Sequence, residues 1–188
     1  MARPRIGYIS SAPDPARTYF SAKRIYYAAL GVELCNYVDS DNINDNDVVT
    51  QLLKCDAIQL TGGDTHAFLT WLRARDFLPT LRAYARRGGV LVGTSAGSLL
   101  MSSSIAIAQL SPHPVPPDVS SLEALGLVDF HFWPHYERGQ EQVPAATAFL
   151  SGAPLVYACP DGAGVIVDRS GTQTVGAVKV FRYGRVDA

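Results

Sequence analysis

An excess of charge of either sign is the first thing missing from this sequence. Its 16 Lys and Arg face 17 Asp and Glu, a net charge of −1 with histidine neutral. A chain without a basic stripe has no electrostatic footprint for a phosphate backbone or an acidic bilayer. Neither nucleic acid nor a membrane surface is an expected partner. Cysteine is also scarce. Cys35, Cys55 and Cys159 are odd in number and far apart in sequence, which fits neither a disulfide framework nor a zinc site. They read as small buried residues of a reducing, cytoplasmic compartment. No apolar run approaches the roughly 20 residues that span a bilayer, and MARPRIGYIS has no long apolar leader core. Repeats, heptads and low-complexity tracts are absent. No motif implies a metal or an organic cofactor.

What is present is a chain of 188 residues, 47% apolar. That suffices for one sizeable core and is short for two, so residues 1–188 are expected to form a single domain. Short apolar runs alternate with helical spacing. Ile6–Ile9, Val32–Tyr37, Ala57–Leu60 and Val90–Val92 read as strands. Between them, Tyr19, Ala22, Tyr26 and Leu30 recur at helical spacing, Asp45 offers an N-cap for a second helix, and Pro79 sits in the first turn of another. Further on, Leu127–Phe132 reads as a strand, 144–150 as a helix, and Leu155–Ala158, Val165–Val167 and Thr172–Val180 as closing strands. The proline-rich 111–117 reads as a surface loop. The β-α-β-α rhythm predicts an α/β fold, a three-layer sandwich whose mostly parallel central sheet is flanked by helices. In such sheets ligands bind beyond the carboxyl ends of the strands. Two glycine-rich turns fall there, Thr61-Gly62-Gly63-Asp64 and Gly93-Thr94-Ser95-Ala96-Gly97.

The second turn carries a candidate nucleophile, and Ala96 to Met101 after it reads as the start of a helix. Gly-x-Ser-x-Gly between a strand and a helix is the setting of a nucleophile elbow, where a sharp turn pushes the serine oxygen into a cleft. The alternative is a serine that caps a helix in a glycine-rich turn. A nucleophilic serine needs a base. Of His66, His113, His131 and His135, the last lies at a strand end on the functional edge and fits best. The base needs an orienting carboxylate. Asp161 in Pro160-Asp161-Gly162, Glu137 and Asp118 all remain candidates on the residues alone, because Pro-Asp-Gly is also an ordinary turn.

Four blocks in order carry a resemblance: Thr61-Gly62-Gly63-Asp64-Thr65 with Phe68-Leu69, Gly93 to Gly97, Leu125-Gly126-Leu127 leading to Pro134-His135-Tyr136, and Pro160-Asp161-Gly162. They are similar to the peptidase E (aspartyl dipeptidase) family of serine peptidases, which is related to cyanophycinases and has a class I glutamine amidotransferase-like fold. The resemblance implies Ser95 as nucleophile, His135 as general base and Asp161 as the acid that orients it. It implies the backbone N–H groups of Gly63 and Ala96 as the oxyanion hole. It also implies a cation after the histidine for a substrate carboxylate, and Arg138 is the only one in 137–144. That stretch departs from the family's basic pattern. The resemblance therefore implies a hydrolase of dipeptides or other small peptides without implying a preference for Asp-first substrates.

Two other readings stay open. His135-Tyr136-Glu137 has the His-x-Glu spacing of an amidotransferase-like amidase. A small-molecule binding homologue could also keep the elbow and lose turnover. A homodimer is a candidate assembly, because apolar C-terminal edge strands need cover. The arginines at 73, 75, 82, 86 and 87 read as a solvated helix face, and Trp71 and Trp133 as core or cleft wall.

Overall fold

The computed structural model describes residues 3–110 and 121–187. It divides into two compact units that meet between Leu100 and Met101. The proline-rich loop, His113 and Asp118 lie outside the described residues.

The first unit is built on four parallel strands: β1 (Arg5–Ile9), β2 (Glu33–Val38), β3 (Ala57–Leu60) and β4 (Val90–Gly93), in the order β2-β1-β3-β4. Parallel strands need crossovers, and helices supply them. These are α1 (Thr18–Ala29), α2 (Asn46–Leu52), α3 (Thr65–Ala74) and α4 (Leu78–Arg86), with the single turn α5 (Ala96–Leu99) after β4. Consecutive residues of β1 and β3 are buried, so both faces of the sheet are covered. Asp45 and Asp64 each accept two backbone N–H bonds at the start of α2 and α3, satisfying donors that a helix cannot satisfy internally. Register fixes the functional edge. Ile9 pairs with Leu60, and Leu60 with Gly93, so the turns that begin at Ser10, Thr61 and Thr94 leave the sheet side by side.

Helix α1 forms where the spacing predicts, but with that stripe turned outward: Tyr19, Tyr26 and Leu30 are exposed. Phe20 sets the rotation. It packs edge-on to Tyr8 and Tyr37 in the aromatic cluster over β1 and β2, which outweighs the more regular stripe.

The second unit contains a mixed sheet in the order β10-β9-β6-β5, made of β5 (His131–Pro134), β6 (Val156–Cys159), β9 (Lys179–Arg182) and β10 (Arg185–Val186). β5 and β6 are parallel, and the other pairs antiparallel. Helix α6 (Pro144–Gly152) joins β5 to β6. β7 (Gly164–Asp168) and β8 (Gly171–Val175) form a separate hairpin.

Three sequence boundaries move. The strand expected from Leu127 begins at His131. Val128 makes only an isolated bridge to Ser102, and Phe130 turns in to pack 4.6 Å from the Tyr157 ring. The run Thr172–Val180 splits into β8 and β9 at Gly176, whose φ of 78° breaks the extended chain. The helix expected over 96–101 stops at Leu99. Among the described residues no helix is long and apolar enough to cross a membrane. None of them form a group of three or more His, Cys, Asp or Glu that could hold a metal ion.

Candidate active site

Ser95 sits between β4 and α5 with φ 49° and ψ −115°. For a residue with a Cβ this is a strained conformation, costing on the order of 1–3 kcal/mol, and such outliers gather at functional turns. The two flanking glycines make the turn sterically feasible. A Cβ on Gly93 would lie 2.6 Å from the Gly97 carbonyl oxygen and the Ser98 Cα. One on Gly97 would run into the Leu60 carbonyl. Strand and helix therefore meet at backbone contact, and the serine is held at the apex. The Ser98 hydroxyl donates to the Ser95 carbonyl, which also accepts the Ser98 and Leu99 N–H groups. The Ser95 side chain does not accept the cap bonds expected of a capping serine.

The neighbouring turn is pinned from outside. The Ser11 N–H donates to Thr61 Oγ1 at 2.9 Å, and its hydroxyl donates to the Gly62 carbonyl at 2.7 Å. The Trp71 indole donates to the Ser11 carbonyl at 3.0 Å, so this tryptophan braces the 61–63 turn. A Cβ on Gly62 would come within 3.2 Å of the Ser95 Cβ. The two glycine-rich turns are thus in direct contact.

Beside them opens a cavity of about 490 Å³. Its lining includes Tyr8, Ser11, Gly63 and Thr94, and also Gln59, which is 1% exposed. Gln59 belongs to none of the motifs in the sequence. The available signal was a lone carboxamide in the middle of an otherwise apolar buried strand.

In the second unit, His135 follows β5 with φ 55°. Its Nδ1 lies 2.7 Å from Asp161 Oδ1. β5 and β6 are parallel and in register, Pro134 opposite Cys159, so both residues leave the sheet at the same edge. The pair is well exposed, with 62% of the His135 and 84% of the Asp161 side chain accessible. Glu137 is exposed, and its N–H donates to the Gln140 side chain. Arg138 is exposed on the same turn.

That turn is fixed by a polar network the sequence did not suggest. The Glu141 carboxylate accepts from Lys179 Nζ at 2.6 Å, the Tyr136 hydroxyl at 2.6 Å and the Gly139 N–H at 2.9 Å. The Lys179 hydrogen bond, followed by that of Tyr136, holds the Glu141 carboxyl down at about 2. Glu141 is therefore engaged by Lys179, on β9, and not by the nearby Arg138 of its own turn. Two other histidines, His66 and His131, lie among the described residues. His66 is buried in α3 with neither ring nitrogen hydrogen-bonded among the described residues. His131 packs edge-on against Phe149, and burial lowers its pKa, which favours the neutral ring.

A parallel α/β unit with a serine on a strained strand-to-helix turn, joined to a unit that presents a His–Asp pair, has the parts of a serine hydrolase. The model of peptidase family S51 matches residues 2–175, and the chain belongs to that family of serine-type peptidases. It is 26% identical over 164 residues to the uncharacterized peptidase YgaJ of Bacillus subtilis, covering 86% of this chain and 68% of that protein. It is 31% identical over 122 residues to peptidase E of Shewanella denitrificans, covering 65% of this chain and 48% of that one. The chain thus spans between about half and two thirds of these relatives. The fold is shared with a solved peptidase from an acI-B1 actinobacterium, at 22% identity and a TM-score of 0.69, covering 96% of this chain and 78% of that one.

Proposed function

We propose that this chain is a serine peptidase that hydrolyses dipeptides or other small peptides through an acyl-enzyme on Ser95. The observation that carries the proposal is the backbone of Ser95, held at φ 49° between two glycines that tolerate no Cβ. A serine kept in that conformation presents its hydroxyl rather than capping a helix. In the proposed mechanism His135 Nε2 takes the Ser95 proton as Oγ attacks the substrate carbonyl. Asp161 accepts from Nδ1–H, which fixes the tautomer and steadies the imidazolium. The N–H groups of Gly63 and Ala96 bind the oxyanion, a contribution typically worth about 10²–10³ in rate per donor. The amine leaves with the proton from His135, and water then releases the acyl group by the same route.

The Asp161 contact at Nδ1 favours Asp161 over Glu137 as the orienting acid, and with it the peptidase over an amidase built on a His-x-Glu pair. Arg138 remains the candidate for a substrate's terminal carboxylate, being exposed next to that pair. The test is hydrolysis of a dipeptide library followed by mass spectrometry, alongside fluorophosphonate labelling of the protein. Wild type should cleave and become labelled at Ser95, and Ser95→Ala should do neither. Turnover by Ser95→Ala at the wild-type rate would end the reading.

A further inference from the structure

Gln59 has no structural explanation so far. It sits mid-strand on β3, 1% exposed, and its Oε1 has no hydrogen-bond partner among the described residues. Its Nε2 reaches only to Thr94 Oγ1, at 3.5 Å. The Thr94 hydroxyl in turn is 3.4 Å from the Leu60 carbonyl. Both distances are at the outer limit of a hydrogen bond. A buried amide left this way destabilises the fold, and its replacement by an apolar group of the same shape would be neutral or better. Such a group in a native interior calls for a role.

The surroundings suggest which. Gln59 and Thr94 line the same cavity of about 490 Å³. The cavity also touches Gly62 and Gly63, and Thr94 is the residue before Ser95. Together they offer one unmet acceptor, Gln59 Oε1, and one loosely held donor, the Thr94 hydroxyl. We propose that this cavity receives a carboxamide side chain, that of Asn or Gln, on the residue whose carbonyl Ser95 attacks. The carboxamide NH₂ donates to Gln59 Oε1, and its oxygen accepts from Thr94. The placement of the side chain rests on the serine peptidase reading.

The same two groups discriminate against the alternatives. With Gln59 Nε2 turned to Thr94, a carboxylate would set its lone pairs against Gln59 Oε1. The charged groups of the lining, Asp14 and Lys23, are of opposite sign and are borne on the β1–α1 connection and on α1 rather than on the strand that carries Gln59. An ammonium would bury its charge against a neutral amide, which is costly. An aliphatic side chain would fill the space and leave both polar groups unmet, the arrangement by which sites built for hydrogen bonding reject apolar isosteres.

The test uses the full chain carrying Ser95→Ala, which removes turnover, with Gln-Ala, Glu-Ala and Leu-Ala as probes in titration calorimetry. Gln-Ala should bind roughly tenfold or more tightly than the other two. Adding Gln59→Leu should bring Gln-Ala to within about twofold of Leu-Ala, as expected when the hydrogen bonds that discriminate are gone. Thr94→Val, which keeps the side-chain shape, should weaken Gln-Ala without weakening Leu-Ala and guards against misfolding of the Gln59 variant. Failure of all three dipeptides to bind, equal binding of the three, or a preference that survives both substitutions would overturn the proposal. The wild-type chain separates the two readings. Binding preference without hydrolysis removes the peptidase and leaves the pocket standing, and hydrolysis without preference removes the pocket alone.

Discussion

His135 Nδ1 lies 2.7 Å from Asp161 Oδ1, at the common edge of two parallel strands. Both side chains are largely in water, and an exposed pair of this kind adds little to stability. In the proposed mechanism its value is orientation. Asp161→Asn should therefore leave the melting temperature nearly unchanged and lower kcat by about 10²–10⁴, the larger figure applying if the amide favours the wrong histidine tautomer. Glu137→Gln should change kcat by less than about threefold, since that group only modulates the local charge. Steady-state kinetics on any cleaved dipeptide, with thermal melts of each variant, checks the pair. A larger loss from Glu137→Gln than from Asp161→Asn would transfer the orienting role.

The elbow makes a different prediction, because there sterics and not charge are limiting. Gly97→Ala puts a methyl group into the Leu60 carbonyl, backbone against backbone. No side chain can move aside to relieve it. The expected cost is about 3 kcal/mol, at the upper end for overpacking, read as a lower urea midpoint with an unchanged slope. Gly152→Ala is the control. A Cβ there meets nothing within 4 Å, and its midpoint should hold or rise.

The contrast between these sites shows what a sequence can carry. The elbow was legible because its steric demands act locally: two glycines, a serine, a strand before and a helix after. The β-α alternation was legible for the same reason, since caps such as Asp45 and Asp64 act within their own helix. The residues alone did not rank Asp161 above Glu137, and the resemblance did; the Asp161 contact to His135 itself depends on β5 and β6 pairing in register, a relationship between residues 26 apart. Glu141 and Lys179 are 38 apart, and nothing near either one announces the other. Phe20 defeated the regular stripe of α1 because tertiary aromatic packing, not helical periodicity, decides which face turns in. Gln59 could be seen but not interpreted, because an unmet hydrogen bond exists only in three dimensions.

The cysteines, distant in sequence, are not all distant in space. Cys35 Sγ lies 3.4 Å from Cys55 Sγ, both as free thiols. Burial, with the Cys35 contact adding to it, pushes the Cys55 thiol up to about 12, and burial alone pushes Cys159 to about 11. The thiolate is the reactive form, so at pH 8 these two are protonated and shielded. Ellman's reagent should modify at most one thiol per native chain, Cys35, which is partly exposed, and three in guanidinium. Rapid native modification of two would show that the β2 edge opens.

Glu141 gives the last prediction its sign. Lys179 first, and Tyr136 second, hold its folded carboxyl at about 2, against an ordinary value of 4.5. Between those values the unfolded chain binds a proton that the folded chain does not. Lowering the pH through that window therefore favours unfolding. The contribution is complete above about pH 4.5 and is lost as the pH falls toward 2. Thermal melts from pH 6 to pH 2.5 should show a steeper fall in wild type than in Glu141→Gln or Lys179→Met, with the variants converging on wild type at the acid end. The network also fixes the turn that follows His135, so both variants should lower kcat at pH 7. An acid slope unchanged in Glu141→Gln would mean that the carboxylate is not held by Lys179 in solution, and the turn after His135 would then need another anchor.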